Sequence, residues 1–363
     1  MQQRALFALI LAVACRGPAP AAGHVVRSDD SLRVPAGFKV AVYADSLQGV
    51  RYLALGPGNA VYASQPGSGL VVKLTDSNND GVADKPVVIA SGLKGPFGIA
   101  FRGDTMYVAE ERSVKRFDPG AAPVTIVSKI PGGGHSTRTI LFGPDRKLYL
   151  AVGSSCNLCN EDDSLRAAVT QFNADGSGGR IFAKGLRNTV GMAFNPKTGE
   201  LWGGNNDRDN LGDDLPPEHI NVIKDGRNYG WPQCYLPGKP NPEYDAADCS
   251  QVEPPAITVQ AHSAPLGLAF YTGTRFPREY RGDAFVTLHG SWNRSIPTGA
   301  KVVRIEVDSA GRRAVGVDDF IVGWQRPDGT RWGRPVGLLV LPDGSLLVSD
   351  DYGGKIWRVS YGR

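Results

Sequence analysis

The chain has 363 residues, with 46 Gly, 26 Pro, 9% aromatic and 21% charged residues, enough for one large all-β domain or two ordinary ones with a substantial core. The formal net charge of +4 is small for this length. No basic run or aromatic-interleaved basic stripe appears, which argues against nucleic acid as a partner.

The first residues, MQQRALFALILAVAC, read as an Arg followed by an apolar run ending in small residues. That is an export signal, too short to span a membrane once removed. Two endings are open: cleavage near Ala22 with a short linker to residue 31, or lipidation of Cys15 after Ala12-Val13-Ala14. Both place the chain outside the cytoplasm, in a periplasm, with a membrane contact only through a lipid on Cys15. Four further cysteines, an even number, suit an oxidising compartment. Of the three pairings, Cys156–Cys159 with Cys234–Cys249 is preferred. Zinc at Cys156-x-x-Cys159 is the rival reading, without a second ligand pair at zinc spacing.

Past the signal, short alternating or β-branched runs such as GLVVKL and KLYLAVG recur between Gly, Pro, Asn and Asp clusters. A phrase repeats: a small apolar strand, a polar turn, a second strand. It reads RYLALGPGNAVYAS from Arg51, PFGIAFRGDTMYVAE from Pro96, RTILFGPDRKLYLAVG from Arg138 and TVGMAFNPKTGELWGG from Thr189. It returns from Pro265 and as PVGLLVLPDGSLLVSDD from Pro335. Six copies of a unit that cannot bury both its faces alone predict an all-β, six-bladed β-propeller over residues 32–361. The C-terminal KIWRVSY is expected to complete a blade begun near GFKVAVYAD. The long stretch between the fourth and fifth phrases reads as a loop-rich insertion, stapled by Cys234–Cys249.

Asp76-Ser77-Asn78-Asn79-Asp80-Gly81-Val82-Ala83-Asp84 carries oxygen ligands at alternate positions, a turn glycine sixth and a backbone carbonyl (Val82) seventh, as a Ca²⁺ loop requires. No acid stands twelfth, and a solvated hairpin is the plain alternative. An ion there would pin the hairpin and do no chemistry. At the junctions of the repeat stand His135 and Arg138, Arg187-Asn188, His262, and Arg331-Trp332-Gly333-Arg334, with His289-Gly290-Ser291-Trp292-Asn293-Arg294 after a strand of the fifth unit. Singly, each is as readily a loop brace. Together they gather cations and aromatics on one axis, a composition suited to a flat polyanion. No nucleophile elbow, phosphate-cradling loop or dinucleotide fingerprint is present. Asp213-Asp214 could act as paired acids or could neutralise Arg208.

His135 follows three glycines in IPGGGHSTRTI, where side chains are kept out of the way. The strings GGGHSTRTILFGPDRKLYLAVGSSCNLC, GLRNTVGMAFNPKTGELW, DRDNLGDDLPPEHIN, AHSAPLGLAFY, LHGSWNRSIPTG and RWGRPVGLLVLPDG together resemble the PQQ-dependent sugar dehydrogenases of the glucose/sorbosone dehydrogenase family, nearest to its sorbosone-like branch. The resemblance covers nearly the whole mature chain. It implies a propeller binding pyrroloquinoline quinone (PQQ) beside Ca²⁺ and oxidising an aldose or a sorbosone-like sugar by hydride transfer, with His135 as general base. It implies Arg187 over the reactive edge of the cofactor. Further cofactor contacts would be Arg138, Asn188, His262, Asn293, Arg294, Trp332 and Arg334. The backbone carbonyls of Asp207 and Arg208 would hold the catalytic metal. Departures are Asp207 where the family has Gly, Thr189 where Pro follows Arg-Asn, His219 where Glu is common, and Asn293 and Trp332 where glucose-oxidising members have basic residues.

No c-type haem attachment motif is present, so the electron acceptor, a cytochrome or a quinone, is expected to be separate. Two other classes compete. A Ca²⁺-dependent lactone hydrolase on a similar propeller wants Glu, Asn and Asp around an axial ion, and a non-catalytic scaffold would make His135 incidental.

Overall fold

The computed structural model describes residues 24–26 and 32–362. The export signal, Cys15 and the linker apart from His24–Val26, which pairs with Arg33–Pro35, lie outside the described residues. The architecture is a six-bladed β-propeller, six four-stranded antiparallel sheets each a simple meander. The six repeat phrases fall on the first two strands of the six blades: Leu53–Leu55 with Val61–Gln65, Ile99–Arg102 with Thr105–Ala109, Arg138–Phe142 with Leu148–Val152, Thr189–Phe194 with Leu201–Asn205, Pro265–Phe270 with Ala284–Leu288, and Pro335–Val340 with Leu346–Asp350. First strands of neighbouring blades touch one another around a closed ring.

The repeated glycine explains how those strands come so close. A Cβ on Gly267 would stand 2.3 Å from the Val336 carbonyl, and one on Gly337 would stand 2.3 Å from that of Arg51. No larger residue fits without moving a neighbouring blade. A hydroxyl on the second strand completes the joint. Thr287 accepts the Gly267 N–H and donates to Val336 O in the next blade, and Ser349 does the same between Gly337 and Arg51 O. Inside the ring, Phe97, Val190, Leu266 and Val336 pack with Tyr52 and leave a cavity of only about 30 Å³. The axis is plugged by apolar side chains, so a ligand reaches its end and does not pass through.

Ring closure follows the sequence expectation. Phe38–Ala44 pairs antiparallel with Lys355–Tyr361, in register from Tyr361↔Phe38 to Ile356↔Ala44, as the outer strand of the sixth blade. Phe38 is buried there among Phe276, Tyr280, Phe320 and Tyr361. The insertion between the fourth blade's third strand, Glu218–Ile223, and its fourth, Ile257–Val259, holds a two-stranded ribbon, Cys234–Leu236 with Lys239–Pro240. Both preferred disulfides form, Cys156–Cys159 and Cys234–Cys249. Among the described residues no helix is long and apolar enough to cross a membrane.

Candidate active site

In an antiparallel meander successive connections alternate between the two ends of the sheet. The segments that enter each first strand, and those joining second to third strands, therefore share one end of the propeller. His135, Arg187-Asn188, His262, Trp332 and Arg334 lie on the former, and Asp207-Arg208 and Asn293-Arg294 on the latter. The topology brings these residues from four blades to one face. Asp76–Asp84 joins the third and fourth strands of the first blade, between Leu70–Leu74 and Val87–Ala90, and so lies on the opposite face. It borders an open groove of about 920 Å³ there.

His135 is half-buried. Its Nδ1 stands 2.9 Å from Ser154 O and 3.0 Å from Ser154 Oγ, and Ser154 Oγ–H donates to Cys156 O at 2.7 Å. With the serine proton committed, both Ser154 oxygens face Nδ1 as acceptors, so Nδ1 carries the hydrogen and Nε2 the lone pair. Nε2 has no hydrogen-bond partner among the described residues. Burial, then the Arg187 charge, push the His135 pKa down to about 4, leaving the imidazole neutral near pH 7. Asn188 is the neighbour: a Cβ on Gly153 would stand 2.5 Å from Asn188 Oδ1 and 2.7 Å from His135 Cβ. The loop before His135 is firmly braced. Arg166 donates to Gly132 O, Gly133 O and Gly153 O, and Gly133 and Gly134 take positive φ of 79° and 60°.

Arg187 is buried, and all five of its N–H groups are engaged. Nε donates to Asn157 O, Nη1 to Asn206 O and Asp207 O, and Nη2 to Asn157 Oδ1 and Asp209 Oδ2. It presents a charge to the face without a free donor. Burial lowers its pKa, opposed by Asp209 and Asp207. Asp209 also accepts from Asn293 Nδ2 at 2.9 Å, and Asn293 reaches His262 Nδ1 at 3.3 Å. Glu218, fully desolvated with its pKa pushed up to about 8, accepts the N–H groups of Asp207 and Ala264 and ties the fourth blade's loop to the fifth.

Several expectations are corrected. Arg138 is wholly buried and donates to the carbonyls of Glu111, Pro131, His135 and Thr137, so it braces the histidine loop and cannot touch a cofactor. Trp332 packs edge-on against Trp357, with its N–H on Gly323 O, at the margin of the core. His262 is buried, with Nε2 donating to Gly212 O, and braces the loop carrying Asp209. Arg294 donates to Asp213 O and Asp214 Oδ1, which gives those paired acids a loop-bracing role. Sequence reasoning missed Ser154, Asn157, Arg166, Asp209 and Glu218. Only the Gly-Ser-Ser-Cys-Asn run beside the repeat was available to suggest the first two.

The fit to each implied group differs. For a flat polyanion the charge fits: Arg51, Arg187 and Arg334 stand at first-strand entrances, near the carboxylates of Asp209 and Asp351. Arg51 Nε, 3.6 Å from Asp351 Oδ2, and Asn188 Oδ1 and Asn293 Oδ1 are buried polar atoms without a hydrogen-bond partner. For a metal at the Asp207 and Arg208 carbonyls the arrangement does not fit. Asp207 O already accepts Arg187 Nη1 at 2.6 Å, and a cation there would face a guanidinium. In the Asp76–Asp84 loop the side-chain oxygens accept the loop's own N–H groups. Its carboxylates do not converge as a metal site; among the described residues only Cys156, Cys159 and Glu161 group so closely, and those cysteines are bonded to each other.

Residues 121–315 match the family model for glucose/sorbosone dehydrogenase. The chain belongs to the glucose/sorbosone dehydrogenase family. This family member is 31% identical over 355 residues to an uncharacterized protein of Borreliella burgdorferi, covering 91% of each. It is 25% identical over 409 residues to a pyrroloquinoline quinone-dependent pyranose dehydrogenase of Coprinopsis cinerea, and spans about half (54%) of that relative's length. Its fold matches the holo form of the PQQ domain of Coprinopsis cinerea pyranose dehydrogenase, with a TM-score of 0.78 at 23% identity over 94% of this chain and 99% of that one.

Proposed function

We propose that the chain is an exported quinoprotein that oxidises the anomeric hydroxyl of an aldose, or the aldehyde hydrate of a sorbosone-like sugar, with PQQ bound at the His135 end of the axis. One observation carries the reading: His135 is held with Nδ1 as donor and Nε2 bare, beside the Arg187 charge. PQQ, when bound, would supply the acceptor for the hydride, which carries the two electrons of the oxidation. His135 Nε2 takes the substrate hydroxyl proton as hydride leaves the same carbon, a step suited to an imidazole that is neutral at working pH. Arg187 opposes the negative charge that gathers on the bound group, acting through its field because its donors are engaged. Arg334 and Asn188 hold and orient the carboxylated cofactor. No step is routed through a metal. Electrons leave to a separate cytochrome or quinone.

The test is titration of purified apo-protein with PQQ, with and without Ca²⁺, followed by addition of aldoses and sorbosone-like sugars. Quinone absorbance should shift on binding and bleach with at least one sugar. Quinone that stays free, or that no sugar bleaches, overturns the proposal. His135→Ala should keep PQQ and lose turnover by about 10²–10⁴-fold; unchanged turnover places the base elsewhere.

A further inference from the structure

Both proposed active groups trace back to one small ring. Cys156 and Cys159, three positions apart and bridged, lie on the loop between the second and third strands of the third blade. From inside this ring the Cys156 carbonyl takes the Ser154 hydroxyl proton, which makes Ser154 Oγ an acceptor towards His135 Nδ1. The next residue, Asn157, meets Arg187 with two oxygens: its carbonyl accepts Nε and its Oδ1 accepts Nη2, each at 3.0 Å. The same side chain fixes the carboxylate partner of Arg187. Asn157 Oδ1 accepts Asp209 N–H at 2.7 Å, and Asn157 Nδ2 donates to Asp209 O at 3.0 Å. Trp231, from the insertion, donates to the Asn157 carbonyl and closes the arrangement from the far side.

A bridge across three positions removes far less freedom from the unfolded chain than the other disulfide, which spans 15. Its consequence is therefore local. It holds a turn whose carbonyls and one amide face the two groups on which the proposed chemistry depends.

We infer that the disulfide-closed ring is the positioning element of the site, with Asn157 the positioning residue for Arg187 and Asp209 and the Cys156 carbonyl the group that holds the Ser154 hydroxyl as a second acceptor beside His135 Nδ1. The inference rests on the functional reading above for what His135 and Arg187 do, but the positioning itself is measurable in the apo-protein. Opening the ring frees the Ser154 hydroxyl, and Nδ1–H keeps only the Ser154 carbonyl as a fixed acceptor. Removing the Asn157 amide leaves Arg187 with only the neighbouring carbonyls and Asp209.

The experiment compares Cys156→Ser/Cys159→Ser and Asn157→Ala with the wild-type chain. The readouts are His135 tautomer by long-range ¹H–¹⁵N NMR without cofactor, PQQ affinity by titration, and thermal melting. The double-serine variant should keep the Nδ1–H tautomer, held by the Ser154 carbonyl, and shift the Nδ1 resonance. Asn157→Ala should keep that tautomer yet weaken PQQ binding about tenfold and turnover about 10–100-fold, with little change in melting. Asn157→Asp, which restores an oxygen facing Arg187, should recover most of the affinity. An unchanged Nδ1 resonance in the double-serine variant overturns the Cys156 role, and unchanged affinity and turnover in Asn157→Ala overturn the Asn157 role. If wild-type protein fails to bind PQQ the functional reading falls, while the apo NMR comparison still decides the positioning.

Discussion

His135 shows how far a single side chain depends on what it touches. As a free imidazole it would titrate near pH 6.5, half charged in mildly acidic medium. Burial and Arg187 lower that to about 4, so the ring is a neutral acceptor across the working range. Titration of the apo-protein by NMR should find the His135 signals unmoved until pH falls towards 4; a midpoint near 6.5 would mean that the ring is neither buried nor close to Arg187. The unfolded chain takes up this proton at higher pH than the folded one. Acidification from 6.5 towards 4 therefore removes stability through this residue, and the loss is complete only below the folded pKa. The sequence pointed to His135 through its glycines, but its tautomer depends on the Ser154 carbonyl, 19 positions downstream.

Two elements can be tested for what they contribute. The Cys234–Cys249 bridge closes the insertion over 15 positions, and chain entropy puts its contribution at about 3 kcal/mol. Cys234→Ser/Cys249→Ser should lower urea stability by roughly that amount. A loss below a few tenths would mean that the insertion is held by its other contacts, such as Arg208 on Glu243 and Asn241. The Asp76–Asp84 loop makes the opposite case. Its spacing reads as a Ca²⁺ site, yet Asp76, Asn78, Asp80 and Asp84 already accept N–H groups of the loop, and Arg358 approaches Asp76 at 3.7 Å. The hairpin is thus satisfied without an ion, and melting should be indifferent to EDTA. A fall of several degrees, reversed by Ca²⁺ and absent from Asp80→Ala, would place an ion there. Ligand spacing was legible in the sequence; where the lone pairs point was not.

At the scale of the molecule, one strand pairing closes the ring. Each blade packs its first strand against those of its two neighbours, and the sixth borrows its outer strand from residues 38–44. Deleting residues 355–363 removes the partner of that strand, takes Trp357 and Val359 out of the largest core cluster and uncovers Phe38. The truncated chain should lose cooperative unfolding, seen as a shallow urea transition and early proteolysis. A sharp transition near the wild-type midpoint would show that five complete blades hold the ring without the closure.

The amino-acid sequence by itself determined the blade count and the closure, and it favoured the disulfide pairs. These follow from local patterns: a repeated strand–turn–strand phrase, a glycine where inner strands crowd, and an even set of cysteines. It also singled out His135 and Arg187, because unusual residues at repeat junctions must gather at one end of a meander. Only the tertiary structure decided which of the gathered cations face the axis. Arg138 and Arg187 look alike in sequence, each beside a repeat phrase. The first is buried on four backbone carbonyls, and the second is held between Asn157, Asp207 and Asp209 with its charge beside His135. That difference lies in contacts between loops of different strands and blades, which no local pattern encodes, and hydrogen-bond satisfaction in the buried loops selects it.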